Sequence, residues 1–142
     1  MTVTRADSFT ETTKKVEFFS DFVDSFAKSP FGNQLGRVSN EKAVNQSLKN
    51  LILTNVGERP FQPFIGSDLL AMLFENNYDE TLSSFELYIQ NCVENNEPRV
   101  NLLSVQVVVS PYNENEIQIN IIYNLINNPN QIDFSFLLKR VR

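Results

Sequence analysis

Two short segments of this chain each combine a glutamate, an arginine and a proline, which suits ion pairing on a stiff backbone. They are Glu58-Arg59-Pro60 and Glu97-Pro98-Arg99. Proline restricts the backbone, and a guanidinium group presents a flat set of donors that matches a carboxylate. We predict that both segments are rigid interaction nodes, and we hypothesise that at least one Glu–Arg pair crosses between the two loops. The alternative is a set of ordinary surface ion pairs, worth about 0–1 kcal/mol each.

The 17 acidic residues allow a second chemistry, in which two carboxylates hydrolyse a glycosidic bond across a cleft. The candidates are Glu58, Glu75 and Glu97. Both Glu58 and Glu97 have an arginine close by in sequence, and Arg99 would lower the pKa of Glu97, whereas a general acid needs a raised one. Glu75 precedes two asparagines in a solvated stretch, and the chain has no Trp to serve as a sugar platform. A cell-wall hydrolase therefore stays the alternative to a non-catalytic protein.

The composition argues against other kinds of site. The chain has no histidine, which removes Ser-His-Asp and Cys-His nucleophiles and the commonest zinc ligand. The one cysteine, Cys92, lies on the apolar face of a predicted helix, where burial would make it a poor nucleophile. No phosphate-binding or dinucleotide-binding glycine motif occurs. We expect no catalytic, cofactor-binding or metal-binding residues.

Charge and hydropathy narrow the choice of partner. A net charge of -5 and a sequence pI of about 4.7 are unlike those of a nucleic-acid-binding protein, which needs a basic face. No segment approaches the roughly 20 apolar residues of a membrane span. Partners are therefore expected to be proteins, with neither nucleic acid nor membrane involved.

The elements that must position the two nodes begin with helices. Residues 16–26 carry five apolar residues at helical spacing, which predicts a helix, with an extended segment across the core as the alternative: Phe18, Phe19, Phe22, Val23 and Phe26. A clearer helix starts after Ser39 or Asn40, either of which can cap it. Its apolar stripe is Val44, Leu48, Leu51 and Ile52.

Two further helices follow a loop over residues 57–66 that contains two prolines and two glycines. Ser67 is predicted to cap a short helix over residues 68–74. The third helix is predicted over residues 81–93, with an apolar stripe formed by Leu82, Phe85, Ile89, Cys92 and Val93.

After Pro98 the apolar period changes from that of a helix to that of a strand. Residues 100–109 are predicted to place one set of side chains inward: Leu103, Val105, Val107 and Val109. Residues 116–125 alternate in the same way, with Ile117, Ile119, Ile121, Tyr123 and Leu125 inward. A turn at residues 127–130 leads to a last strand with Ile132, Phe134, Phe136 and Leu138 alternating.

This order predicts an α+β fold, in which N-terminal helices pack on a C-terminal three-stranded antiparallel meander. Residues 1–15 are polar and aperiodic, and we interpret them as a flexible arm. Residues 16–142 then form a single domain. The edges of such a meander carry unpaired backbone groups, and the last strand is a plausible edge for addition of a strand from another chain.

Several motifs together resemble one known family, the baseplate wedge and sheath-initiator proteins of contractile-tailed bacteriophages, with relatives in type VI secretion. The resemblance covers about residues 18–140. It rests on residues 39–54, residues 57–63, Gly66, Leu73-Phe74-Glu75 and Glu97-Pro98-Arg99-Val100, in that order and spacing.

The resemblance implies a structural protein of the inner baseplate in the virion tail, assembled in the host cytoplasm. It implies contacts with other wedge proteins, with the tail sheath protein, and with tail tube or hub proteins. The Glu-Pro-Arg motif is implied to be an interaction core, here Glu97, Pro98 and Arg99. The sheet is implied to start the sheath by strand addition, although some members carry an older lysozyme-like label.

Overall fold

The computed structural model describes residues 16–30, 32–73, 78–110 and 116–139, and it confirms the predicted α+β fold. The predicted arm over residues 1–15 lies outside the described residues. Two short strands and three helices precede a three-stranded sheet. The order is β1 (Ser20–Phe22), β2 (Arg37–Ser39), α1 (Glu41–Leu53), α2 (Leu69–Met72), α3 (Tyr78–Asn96), β3 (Val100–Val109), β4 (Glu116–Leu125) and β5 (Asn128–Lys139).

The helix predicted over residues 16–26 is wrong, because this segment is extended. β1 pairs antiparallel with β2 to form the N-terminal ribbon. The amide side chain of Asn40 holds the chain just before it, accepting from Phe18 N at 2.9 Å and donating to Val16 O at 2.9 Å. Of the phenylalanines that suggested a helix, Phe19 packs against the core. The other three are exposed: Phe18, Phe22 and Phe26.

The predicted stripe of α1 is confirmed, since Val44, Leu48, Leu51 and Ile52 are all buried. The predicted cap is not formed. Asn40 does precede the helix, but it has φ 52 and makes no side-chain cap bond, because its amide is used by the ribbon. Gln46 of α1 also holds the ribbon, accepting from Asp24 N at 3.3 Å and donating to Phe22 O at 2.7 Å.

The second and third helices differ from prediction at their ends. α2 is shorter than the predicted range, and residue 74 lies outside the described residues. Ser67 does not cap α2, since its hydroxyl donates to Ile52 O and so ties the end of the 57–66 loop to α1. α3 runs longer than predicted and buries its expected face: Phe85, Ile89, Cys92 and Val93.

The sheet has the strand order β3-β4-β5, with both pairings antiparallel. β4 alternates as predicted, and all five of its inward side chains are buried. The inward assignment of Leu103 is wrong: a bulge between Leu102 and Ser104 shifts the register, and Leu103 is 54% exposed. The turn before β5 is also shorter than predicted, because β5 already begins at Asn128.

The core lies between the sheet and helices α1 and α3. A polar contact also joins these layers, since the buried Tyr123 hydroxyl of β4 donates to Asn45 Oδ1 of α1 at 2.7 Å. Within the described ranges, no helix is long and apolar enough to cross a membrane. No cluster of potential metal ligands occurs in that part of the chain either.

Candidate functional site

The Glu97-Pro98-Arg99 node forms the junction between α3 and β3. Glu97 N still donates to Val93 O at 2.9 Å, and Val100 N donates back to Glu97 O at 3.2 Å. Pro98 has no amide hydrogen and disfavours a helical residue before it, so the helix ends here. The turn points Glu97 inward, where it is 4% exposed, and leaves Pro98 at the surface.

Within this node Arg99 binds the carboxylate of Glu97. Arg99 Nε lies 2.6 Å from Glu97 Oε1, and Arg99 Nη2 lies 2.7 Å from Oε2. The Ser47 hydroxyl of α1 donates to Glu97 Oε2 at 2.7 Å. The guanidinium carbon also sits 5.6 Å from the centre of the Phe19 ring. The node therefore ties together α1, the α3–β3 junction and the segment that leads into the ribbon.

The electrostatics keep both groups charged. Burial by itself would raise the pKa of Glu97, but hydrogen bonds from Arg99 and Ser47, with the Arg99 charge, outweigh it and lower that pKa below its ordinary value. The hydrogen bond to Glu97 raises the pKa of Arg99. A carboxylate that is ionised and held by two side chains is a structural acceptor and a poor general acid.

The hypothesis that a Glu–Arg pair crosses between the two loops is wrong. Glu97 pairs with Arg99, whereas Glu58 Oε2 accepts from Asn55 N at 2.9 Å within its own loop. Among the described residues, no ion pair joins the two segments. Arg59 and Pro60 lie exposed at the surface, so they stay available to another molecule.

The remaining candidates for chemistry are Glu75 and Cys92. Glu75 lies outside the described residues. Cys92 is buried as predicted, and burial raises the pKa of its thiol despite a hydrogen bond with Asn96 that lowers it. Arg99 and Ser47 hold Glu97 in its ionised form, so Glu97 lacks the raised pKa that a general acid needs.

Among the described strands, β5 pairs with β4 and lies at an edge of the sheet. Its predicted residues face the core side, with Leu138 buried and the others partly buried: Ile132, Phe134 and Phe136. The direction of their backbone groups follows from the ladder. Ser110 N donates to Glu116 O at 2.7 Å, and bonded pairs alternate along antiparallel strands.

That alternation assigns the free backbone groups of the β5 edge. Ile117, Ile119 and Ile121 of β4 turn their backbone groups toward β5, where their partners are Leu138, Phe136 and Phe134. The outward N–H and C=O groups therefore belong to the residues between these: Asp133, Ser135 and Leu137. The sequence prediction chose residues by their apolar side chains, which face the core. It therefore missed the three residues between them, whose backbone groups point outward.

The opposite edge is not equivalent. Val107 N of β3 points away from β4 and donates to Glu86 Oε1 of α3 at 3.0 Å. The bulge near Leu102 further disturbs this edge. No local pattern marks Glu86 or Ser47 as partners of distant residues, since both contacts depend on how the helices pack.

Comparison with known proteins agrees with this architecture. Residues 38–130 match the family model of baseplate wedge protein gp25. The chain is 32% identical over 117 residues to the baseplate wedge protein gp25 of Enterobacteria phage T4, which spans 82% of this chain and 87% of that protein. This chain belongs to the gp25 family of baseplate wedge proteins. It is a structural component of the baseplate wedge of a contractile tail.

Solved structures share the gp25-family fold. A putative tail lysozyme from Geobacter sulfurreducens superposes with a TM-score of 0.66 at 22% identity, covering 72% of this chain and 92% of that one. A chain of the type VI secretion baseplate complex gives 0.60 at 12% identity, covering 71% and 93%. A chain of the anti-feeding prophage baseplate gives 0.59 at 20% identity, covering 87% of each. At these identities the likeness concerns the fold.

Proposed function

We propose that this wedge protein binds other wedge proteins and starts polymerisation of the tail sheath by accepting a strand at the free edge of β5. The observation that carries the proposal is the asymmetry of the sheet. One edge has an outward amide occupied by Glu86, whereas Asp133, Ser135 and Leu137 direct their backbone groups away from the sheet. An added strand would pair with these groups.

The side chains of β5 support the same proposal. Phe134 and Phe136 stack with ring centres 5.5 Å apart on the core side, yet both are only partly buried. A strand next to β5 would bring its own alternate side chains over this apolar surface. Between Asn128 and Leu138, Asp133 is the one charged side chain, so few charges discourage pairing along this edge.

The Glu97 node gives the wedge contacts their proposed place. Because Glu97 and Arg99 satisfy each other, a partner meets a preformed surface made of Pro98, the remaining edge of the Arg99 guanidinium, and Phe19. Arg99 keeps 34% of its side chain exposed, and neither Glu97 nor Ser47 uses its Nη1 nitrogen. The exposed Glu58-Arg59-Pro60 segment is a second proposed contact.

The proposed partners are other wedge proteins and the tail sheath protein, with tail tube or hub proteins as further neighbours. The proposed place of action is the virion tail baseplate, after assembly in the host cytoplasm. We further propose that the protein is not an enzyme. Purified peptidoglycan treated with the full chain should release no more soluble product than a buffer blank, and activity abolished by Glu97→Gln would contradict this.

A proline at an outward amide tests strand addition directly. Ser135→Pro removes a hydrogen-bond donor from the free edge and leaves the β4 ladder intact, because proline is tolerated on edge strands. Ser135→Thr keeps the amide and is the matched control. In cells whose own copy is deleted, we expect electron microscopy to show sheathed tails with the threonine variant and baseplates without sheath with the proline variant.

The two variants must first show equal folding by circular dichroism and equal incorporation into baseplates. Normal sheathed tails carrying Ser135→Pro would reject strand addition at β5. Normal sheathed tails in cells that lack the protein altogether would reject the initiator role.

A further inference from the structure

The 57–66 loop is fixed in place although it consists of turns. Gly57 N donates to Pro63 O at 2.8 Å, and Ser67 N donates to Thr54 O at 2.7 Å, which closes the loop at both ends. The Cys92 thiol of α3 donates to Gly66 O at 3.2 Å. Gly66 has φ 142, and a Cβ there would lie 2.5 Å from Thr54 O, so the closure requires glycine.

This fixed loop presents aromatic rings to solvent. Phe61 is 97% exposed and Phe64 is 89% exposed. An exposed ring on a constrained loop loses little conformational freedom on binding, which is a property of side chains that anchor interfaces. Such rings suit contact with another molecule.

A groove of about 380 Å³ runs between this loop and α3, and we call it the loop–α3 groove. Phe64 of the loop and Tyr88 and Cys92 of α3 are among the residues that line it. Along α3 its rim carries two exposed amides, Asn91 and Asn95, which make no side-chain hydrogen bond within the described part of the chain. Aromatic sides with neutral amides at the rim match a peptide, whose backbone offers both donors and acceptors.

The charge of the groove defines its occupant further. Asp68 is the one charged residue among those that line it, and its carboxylate is exposed. Although Asp68 precedes α2, it makes no side-chain cap bond, and no ion pair involves it among the described residues. A single unpaired carboxylate beside aromatic walls complements a peptide that carries one basic residue next to an apolar one.

We propose that the loop–α3 groove binds an extended peptide segment of a neighbouring baseplate protein, with an apolar side chain between Phe64 and Tyr88 and a basic side chain at Asp68. The proposal rests on the assembly role proposed above. It concerns a different surface from the β5 edge, and the two surfaces are tested by different variants.

Photocrosslinking in assembled tails tests the groove. Phe64 or Tyr88 is replaced, one at a time, by p-benzoylphenylalanine in cells that assemble the complete tail, and the linked peptides are identified by mass spectrometry. We expect both positions to link to the same short segment of one other chain, with Lys or Arg within about three residues of an apolar residue. The control position is Phe26, an exposed phenylalanine in the segment between β1 and β2, which should not link to that segment of the partner.

A synthetic blocked peptide with the linked sequence is then titrated into the purified full-length chain. Phe64→Ser should weaken its binding by at least about tenfold, as for an interface anchor. Asp68→Asn should weaken it by about two- to fivefold, as for an exposed ion pair, and Phe26→Ser should leave it unchanged.

Four outcomes would overturn the groove proposal: links from the two positions to different chains, links to a second copy of this protein, links to residues 1–15 of the same chain, or no link. Sheathed tails carrying Ser135→Pro, together with the expected cross-links, would reject strand addition at β5 and leave the groove proposal standing.

Discussion

Arg99 binds both carboxylate oxygens of Glu97 across a single proline, through Nε at 2.6 Å and Nη2 at 2.7 Å. The pair is local in sequence, but it organises distant parts of the chain, because Ser47 of α1 and the Phe19 ring complete it. We expected this motif to pair with the other loop, but Glu97 and Arg99 pair with each other and stabilise the local fold. Substitutions in the pair should therefore be tested for their effect on stability separately from any effect on assembly.

Arg99→Ala should lower the free energy of unfolding by about 2–3 kcal/mol, because it leaves the Glu97 carboxylate buried without its cation. The loss is smaller than for a fully enclosed pair, since water reaches the partly exposed arginine. Urea unfolding at pH 7 measures it. Arg59→Ala is the matched control and should change stability by less than about 0.5 kcal/mol. Equal stability of the two variants would show that the Glu97–Arg99 pair contributes nothing net.

The lowered pKa of Glu97 predicts acid sensitivity. Because the folded-state pKa lies below the ordinary value of 4.5, the stabilisation is complete above that value and is lost as pH falls through the folded-state pKa. Glu97→Gln removes this titration. Urea unfolding between pH 7 and pH 3 should therefore show a steeper loss of stability in the wild type than in the variant. Parallel profiles would contradict the assigned shift.

Glu86 is predicted to protect the β3 edge. Glu86→Ala leaves the Val107 amide without its acceptor, which should cost about 1 kcal/mol of stability and expose a second edge for pairing. Sedimentation velocity at rising concentration should then show stronger self-association than in the wild type. Glu86→Gln retains an oxygen acceptor and should behave as the wild type does. An alanine variant that associates no more than the wild type would show that the bulge alone protects this edge.

Gly66 is predicted to be irreplaceable. A Cβ at this position would meet the backbone oxygen of Thr54, and the residue already has positive φ, so Gly66→Ala should destabilise the protein by about 2–3 kcal/mol. Gly32→Ala is the matched control, because no atom lies within 4 Å of its added Cβ. Chemical denaturation compares the two. Similar midpoints would indicate that the 57–66 loop can shift to admit a side chain.

Alternating or helical periods predicted the structure well where one face of an element is buried. β4 is the clearest case, since both its limits and its five inward side chains follow from the sequence. α1 is similar in its stripe. In both elements the apolar side chains decide the conformation, and local period and tertiary environment agree.

The errors occur where side chains and backbone compete for partners. The phenylalanines of residues 16–26 have helical spacing, but Asn40 and β2 take up the backbone groups and leave three rings exposed. The bulge in β3 turns the Leu103 side chain away from the core, and no residue type in this stretch predicts a bulge. The partners of Glu97, Val107 and Asn40 come from elements far away in sequence. Such contacts require the packed fold and cannot be read from spacing.

The hydrogen bonds between the Asn40 side chain and the segment before the ribbon have a consequence for local unfolding. Several contacts of the ribbon region are polar, through the amide side chains of Asn40 before α1 and of Gln46 and Asn50 within it. Of the phenylalanines in residues 16–26, only Phe19 packs against the core, so opening this region exposes less apolar area than opening the meander, and we expect it to open at a lower free energy. Its backbone amides should exchange with deuterium earlier than those of β4. Such an exchange profile would divide the chain into two cooperative units, a resistant body of sheet and helices and an N-terminal clip that opens first.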